Sequence, residues 1–112
     1  MAATYIGHGS VRALNDQLRQ HGIGGTVVVT QGLMALGADT LILIQRAVAE
    51  FTDFTSDNDP HGEHDFGAVQ VQGHTVFFKI DYYDCDPRYH SPDPADPAVT
   101  SRVMTLMLAE EY

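Results

Sequence analysis

The sequence predicts an α+β fold: a small, mainly antiparallel three-stranded sheet with helices packed on one face, in the order α-β-α-β-β-α. Three patterns predict it. Apolar residues recur at helical spacing near both ends and in the middle of the chain. The β-branched run Thr26-Val27-Val28-Val29-Thr30 follows Gly24-Gly25. Residues 67–83 alternate on either side of Gln72-Gly73-His74. The 112 residues are the size of one domain, spanning 1–112, with residues 1–9 expected to be loose.

In the first helix Val11, Leu14 and Leu18 form the apolar stripe, Ser10 is the expected N-cap and Gly22 the stop. The run from Thr26 to Thr30 reads as a buried strand, and the chain then crosses through Leu33 to Gly37. A second helix is expected from Asp39 to Phe51, capped by Asp39 or Thr40. Its core stripe is Leu41, Ile44, Val48 and Phe51, and Gln45, Arg46 and Glu50 face away. The hairpin pairs residues 67–72 with Thr75 to Tyr83. Val76, Phe78, Ile80 and Tyr82 share one face, and Phe77, Lys79, Asp81 and Tyr83 the other. Residues 84–97 form a loop stiffened by Pro87, Pro92, Pro94 and Pro97. Asp96 then caps a last helix that starts at Pro97 and buries Val99, Val103, Leu106 and Met107. Helices on one side leave the second sheet face to be closed by the acidic loops or by a partner.

The net charge of -9 is concentrated in sequence. Residues 1–52 balance to zero. Residues 53–96 hold ten acids against Lys79 and Arg88, a balance of -8. Such a patch repels phosphate backbones, which argues against direct nucleic-acid binding. It suits a cation, a metal or a basic protein surface. Cys85 is the sole cysteine, so no intrachain disulfide forms. The start of the chain lacks a basic-then-apolar signal pattern, and the apolar run Leu41 to Ile44 is too short to span a bilayer. The expectation is a cytoplasmic protein with no membrane contact.

The densest chemistry lies in Asp57-Asn58-Asp59-Pro60-His61-Gly62-Glu63-His64-Asp65. Asp57, Asp59 and His61 at alternate positions before Gly62 imitate the first half of a calcium loop. Ala68 stands where such a loop needs a bidentate glutamate. Asp57, Asp59, His61 and His64 are the candidate ligands of a divalent metal. Glu63 and Asp81 are the candidate general bases. In an antiparallel hairpin the start of one strand lies beside the end of the other, so His64 and Asp65 should lie near Asp81 to Asp84. The bland alternative is a loop lock, in which Asp and His side chains satisfy backbone amides. Cys85, between Asp84 and Asp86, is a poor nucleophile.

Several blocks also carry a resemblance. They are Asn15-Asp16, Val27-Val28-Val29-Thr30 with Gly32, Ala35-Leu36-Gly37, Asp57 to Gly67, Lys79-Ile80-Asp81-Tyr82-Tyr83-Asp84, Ser91 to Pro97 and Met107 to Tyr112. Together, from about residue 13 onward, they resemble an uncharacterised bacterial domain of unknown function, made of small alphaproteobacterial proteins frequent on plasmids and mobile elements beside anti-restriction genes. The resemblance implies an accessory, anti-defence role and carries over no catalytic residues.

Two functions compete. The first is a protein-binding inhibitor of the anti-CRISPR or anti-restriction kind. Asp57, Asp59, Glu63, Asp65, Asp81, Asp84, Asp86 and Asp93 would face a basic host surface such as a CRISPR effector or another nucleic-acid-processing complex. The second is a metal-dependent hydrolase built on residues 57–65 with Asp81. Whether the chain is an enzyme stays open at this level, as do any metal and the oligomeric state.

Overall fold

The computed structural model describes residues 8–86 and 88–112, and side chains from residue 11 onward. The expectation for residues 1–7, and the contribution of Pro87, lie outside the described residues. The elements are α1 (His8–His21), β1 (Thr26–Val29), α2 (Gln31–Met34), α3 (Ala38–Glu50), β2 (Phe66–Val71), β3 (His74–Tyr83), β4 (Ser101–Leu108) and a terminal 3-10 turn, Ala109–Glu111. The class is α+β. The sheet has four strands in the order β1-β4-β3-β2, with β1 parallel to β4 and the other pairs antiparallel.

The predicted last helix is therefore wrong: it is β4, the strand that joins β1 to the hairpin. Its apolar run fits two periods. Val99, Val103, Leu106 and Met107 match a helix, and Arg102, Met104 and Leu106 match a strand with Val103, Thr105 and Met107 on its other side. A strand flanked on both sides reads as a nearly continuous apolar run, which periodicity alone cannot separate from a buried helix. Sheet pairing decides it, because β1 and β3 would otherwise lack partners for their backbone groups. Asp96 closes a turn in place of a helix cap, its carboxylate accepting the Ala98 amide at 2.9 Å.

The N-terminal half needs smaller corrections. α1 already runs from His8, so Ser10 lies within it. α3 begins after Gly37 with no side-chain cap. Thr40 instead donates to the Gln72 side chain at 2.9 Å. The short α2 occupies the crossing segment. β1 is an exposed edge strand and not a buried one.

The hairpin matches its sequence pattern. Gln72 and Gly73 both have positive φ, 50° and 82°, as a two-residue turn with right-handed strand twist requires. Val69 faces Val76 and Gly67 faces Phe78. Val69, Val71, Val76, Phe78, Ile80, Met104 and Leu106 pack on Leu18 of α1 and on Ile44 and Val48 of α3, so the helices cover one face. Gly67 is required there. A Cβ would lie 2.5 Å from the Phe78 ring and 2.9 Å from Phe51. Gly67→Ala is expected to cost about 1–3 kcal/mol by overpacking. Thermal melting checks this, and an unchanged midpoint would show that the Phe78 ring moves aside freely.

The second sheet face is not closed by the acidic loops, which pack against α1 on the helical side. It carries Phe66, Phe77 and Tyr112, whose rings meet at 5.2 and 5.7 Å. Among the described residues no helix is long and apolar enough to cross a membrane.

Candidate functional site

Hairpin register brings the acidic segment before β2 beside the end of β3, as the sequence predicts. The Ile80 amide donates to the Asp65 carbonyl at 2.8 Å, and the Tyr82 hydroxyl donates to Glu63 Oε1 at 2.8 Å. α1 supplies the third wall. Its inward stripe is Val11, Asn15, Leu18 and Arg19, so two polar side chains sit where the helix is buried.

Asn15, fully buried, is the junction. Its amide nitrogen donates to the Glu63 carbonyl at 3.0 Å and to the Tyr82 hydroxyl at 2.8 Å. Its oxygen accepts from Arg102 Nη1 at 2.6 Å. The other Arg102 nitrogen donates to the Pro94 carbonyl, and the guanidinium lies 5.1 Å from the Tyr82 ring centre. One amide and one guanidinium thus tie the acidic loop, β3, β4 and the proline loop together.

A second chain of contacts runs beside it. His64 adopts a left-handed backbone, φ 56°, which is unfavourable for a residue with a Cβ. Its ring stacks on Phe54 at 3.8 Å and its Nδ1 meets Asp16 Oδ1 at 2.9 Å. Since a carboxylate only accepts, Nδ1 carries the proton. The same Asp16 oxygen accepts from Arg19 Nη2 at 2.9 Å. Arg19 Nη1 reaches the carbonyls of Val48, Ala49 and Phe51 at 3.0, 3.1 and 3.0 Å, where α3 ends and its last carbonyls need donors from outside the helix.

Asp59 shows what the acidic loop does with its charge. The residue is buried, and its carboxylate accepts the Glu63 amide at 2.9 Å and the His64 amide at 3.2 Å. The Asn58 side chain accepts the Thr55 amide at 2.9 Å and donates to the Asp53 carbonyl at 3.0 Å. Asp59→Ala is expected to lose about 1–2 kcal/mol, because two half-buried amides lose their acceptor. Urea unfolding measures this; a wild-type midpoint would mean that water replaces the carboxylate.

The candidate ligands Asp57, Asp59, His61 and His64 do not converge. Asp57 and His61 are exposed; only Asp59 and His64 approach each other, Nε2 lying 3.9 Å from Oδ2, while His64 Nδ1 meets Asp16. Among the described residues no three His, Cys, Asp or Glu side chains are placed to hold a metal. The candidate bases are separated too. Tyr82 takes Glu63 to the helical side of the sheet, while Asp81, one residue along β3, points to the other face and meets Lys79 at 3.3 Å. Of the remaining acids, Asp84 accepts the Cys85 amide, Asp86 pairs with Arg88, and Asp93 accepts the Ala95 amide.

Burial, joined by the neighbouring Glu63 and Asp65 charges, raises the Tyr82 hydroxyl far above the ordinary phenol range, so it stays a donor. Burial also raises the Asp65 carboxyl, with Glu63 and Asp59 adding to the effect. Burial lowers the Arg102 guanidinium, which remains charged all the same. The arrangement holds segments in place. Asn15, Asp16, Arg19, Tyr82 and Arg102 were absent from the sequence-derived set. Asn15, Asp16 and Tyr82 stood in the blocks of the resemblance, and the one structural signal was Asn15 and Arg19, four apart on the stripe of Val11 and Leu18.

Residues 29–111 match the model of a family described as a protein of unknown function, DUF3768. α1, which carries Asn15, Asp16 and Arg19, precedes that segment. No curated protein and no solved structure matches the chain.

Proposed function

We propose, for a chain that belongs to the DUF3768 family of proteins of unknown function, that it acts by binding and not by catalysis. Its acidic end, made by residues 53–65 and 81–96, occupies a basic, nucleic-acid-binding surface of a cytoplasmic host protein. The concrete form is an anti-defence inhibitor from a mobile element, aimed at a restriction or CRISPR effector. The observation that carries this reading is the joining of two acidic segments at one end of the sheet, through Asp65 to Ile80 and Glu63 to Tyr82. Ten acids against Arg88 alone in those two segments make a single-sign field, and the internal locks hold it rigid before any partner arrives. The hydrolase reading has less support, since Asp59, His64 and Asp81 are each engaged elsewhere.

Phage plating tests the reading in hosts that carry a restriction or CRISPR system. Expression of the chain is expected to raise plating efficiency. Reversing the exposed Asp53 and Asp57 to lysine removes the gain. Reversing Asp39 and Glu50, exposed on α3 in the neutral half, leaves it. Asp84 and Asp93 are unsuitable for reversal because they hold their own loop. No gain in any host would refute the anti-defence role. Equal losses from the two pairs would mean that total charge, and not its position, matters.

A further inference from the structure

We propose that two copies of this chain pair through their β1 edges, antiparallel about a twofold axis at Val28, to form one continuous eight-stranded sheet. β1 uses one side only. Its Thr30 neighbour donates to the Leu106 carbonyl at 3.1 Å, and in a parallel ladder alternate residues face the partner. Thr26, Val28 and Thr30 therefore face β4. The amides and carbonyls of Val27 and Val29 point outward, where no strand among the described residues meets them.

That edge is self-complementary. With Val28 opposite its own twin, Val27 of each copy lies opposite Val29 of the other, and each such pair exchanges two hydrogen bonds. Although β1 is short, Thr26-Val27-Val28-Val29 carries no charge, no proline and no bulge to keep a second strand away. Ile23, Val27 and Val28 are 56, 37 and 43% exposed, too apolar a set for an edge meant to stay in water. The helical layer stops short of β1, leaving a groove of about 270 Å³ lined by Leu18, Val27, Val48, Met104 and Leu106. The partner's Val29 would face the mouth of that groove.

Self-complementarity selects a second copy as the occupant, and charge permits it. Two chains of -9 repel wherever their acidic ends meet, but residues 1–52, which include β1, balance to zero. Antiparallel pairing also sends the two acidic ends in opposite directions. The strands β1 and β4 start at the end of the sheet where β3 stops and β2 begins, and a twofold axis reverses that end in the second copy.

Cysteine linking tests the register. In a Cys85→Ser background, Val28→Cys occupies a non-hydrogen-bonded pair with Cα atoms about 4.5 Å apart, within disulfide reach. Val27→Cys places the two thiol-bearing residues diagonally, beyond the limit of about 7 Å. The expected result is a covalent dimer from Val28→Cys and none from Val27→Cys. Sedimentation of the unlinked wild type should show a dimer. Val28→Lys, which sets two ammonium groups opposite each other, should sediment as a monomer with an unchanged circular dichroism spectrum. If Val28→Lys fails to fold, Val27→Pro removes an outward amide without touching the β4 ladder and should give the same monomer. Equal linking by both cysteines would overturn the register. A wild-type dimer indifferent to both edge variants would place the contact elsewhere. A wild type that stays monomeric up to about 1 mM would leave the edge to an extended segment of another protein.

Discussion

Arg19→Ala is expected to destabilise the protein by about 3–4 kcal/mol, a fall of roughly 15 °C in melting temperature for a domain of this size. The side chain does three things at once. It donates to three carbonyls where α3 ends, pairs with Asp16, and lays its guanidinium 5.2 Å from the Phe54 ring and 5.8 Å from Phe78. Alanine removes the donors and leaves a hole beside the largest buried ring. Asp16 remains partly exposed, so its own loss is softened by water. That places the total near the lower half of the range for a broken buried pair. Urea unfolding provides the measurement. A loss below about 1 kcal/mol would show that α3 ends as well in water as on Arg19.

Arg102→Ala follows, at about 3 kcal/mol or roughly 10 °C. Arg102 lies on the central strand, 3% exposed, and alanine there orphans the Asn15 oxygen and the Pro94 carbonyl. It also removes the cation over Tyr82, a smaller effect. Hydrogen exchange adds a readout that stability alone lacks. The amides of Ser91, Asp93, Ala95 and Asp96 should lose protection before those of β2, because Arg102 is what anchors that loop to Asn15. Uniform loss of protection would mean that the proline loop stands without the arginine. Coupling between Asn15→Ala and Arg102→Ala should be strong, since either change alone breaks the same 2.6 Å bond.

Which parts of the fold were legible in the sequence follows from how local each signal is. The hairpin was readable because alternation and a Gln72-Gly73 turn specify a pairing between neighbours in the chain. From that register the meeting of the two acidic segments could be derived without coordinates, and the Glu63 to Tyr82 bond is its outcome. α3 was readable because its stripe of Leu41, Ile44 and Val48 has only one period that fits. β4 was not, since Val103 to Leu108 fits helix and strand alike.

The polar network divides in the same way. Asp59 and His64 were singled out by local density as metal ligands, and what the fold shows of them is an amide acceptor and a ring stacked on Phe54. Density of ligand types measures what a loop contains and not where its side chains turn. Asn15 and Arg102 are 87 positions apart, and nothing in either segment announces the other.

By itself the sequence determined the hairpin and its register, the two longer helices, and an acidic stretch confined to residues 53–96, because each is settled by neighbours along the chain. Only the tertiary structure decided that the last apolar segment is a strand, that β1 lies at an open edge, and that the acidic loops lean on α1. Those choices depend on backbone partners and buried polar groups from distant segments, whose satisfaction no local pattern encodes.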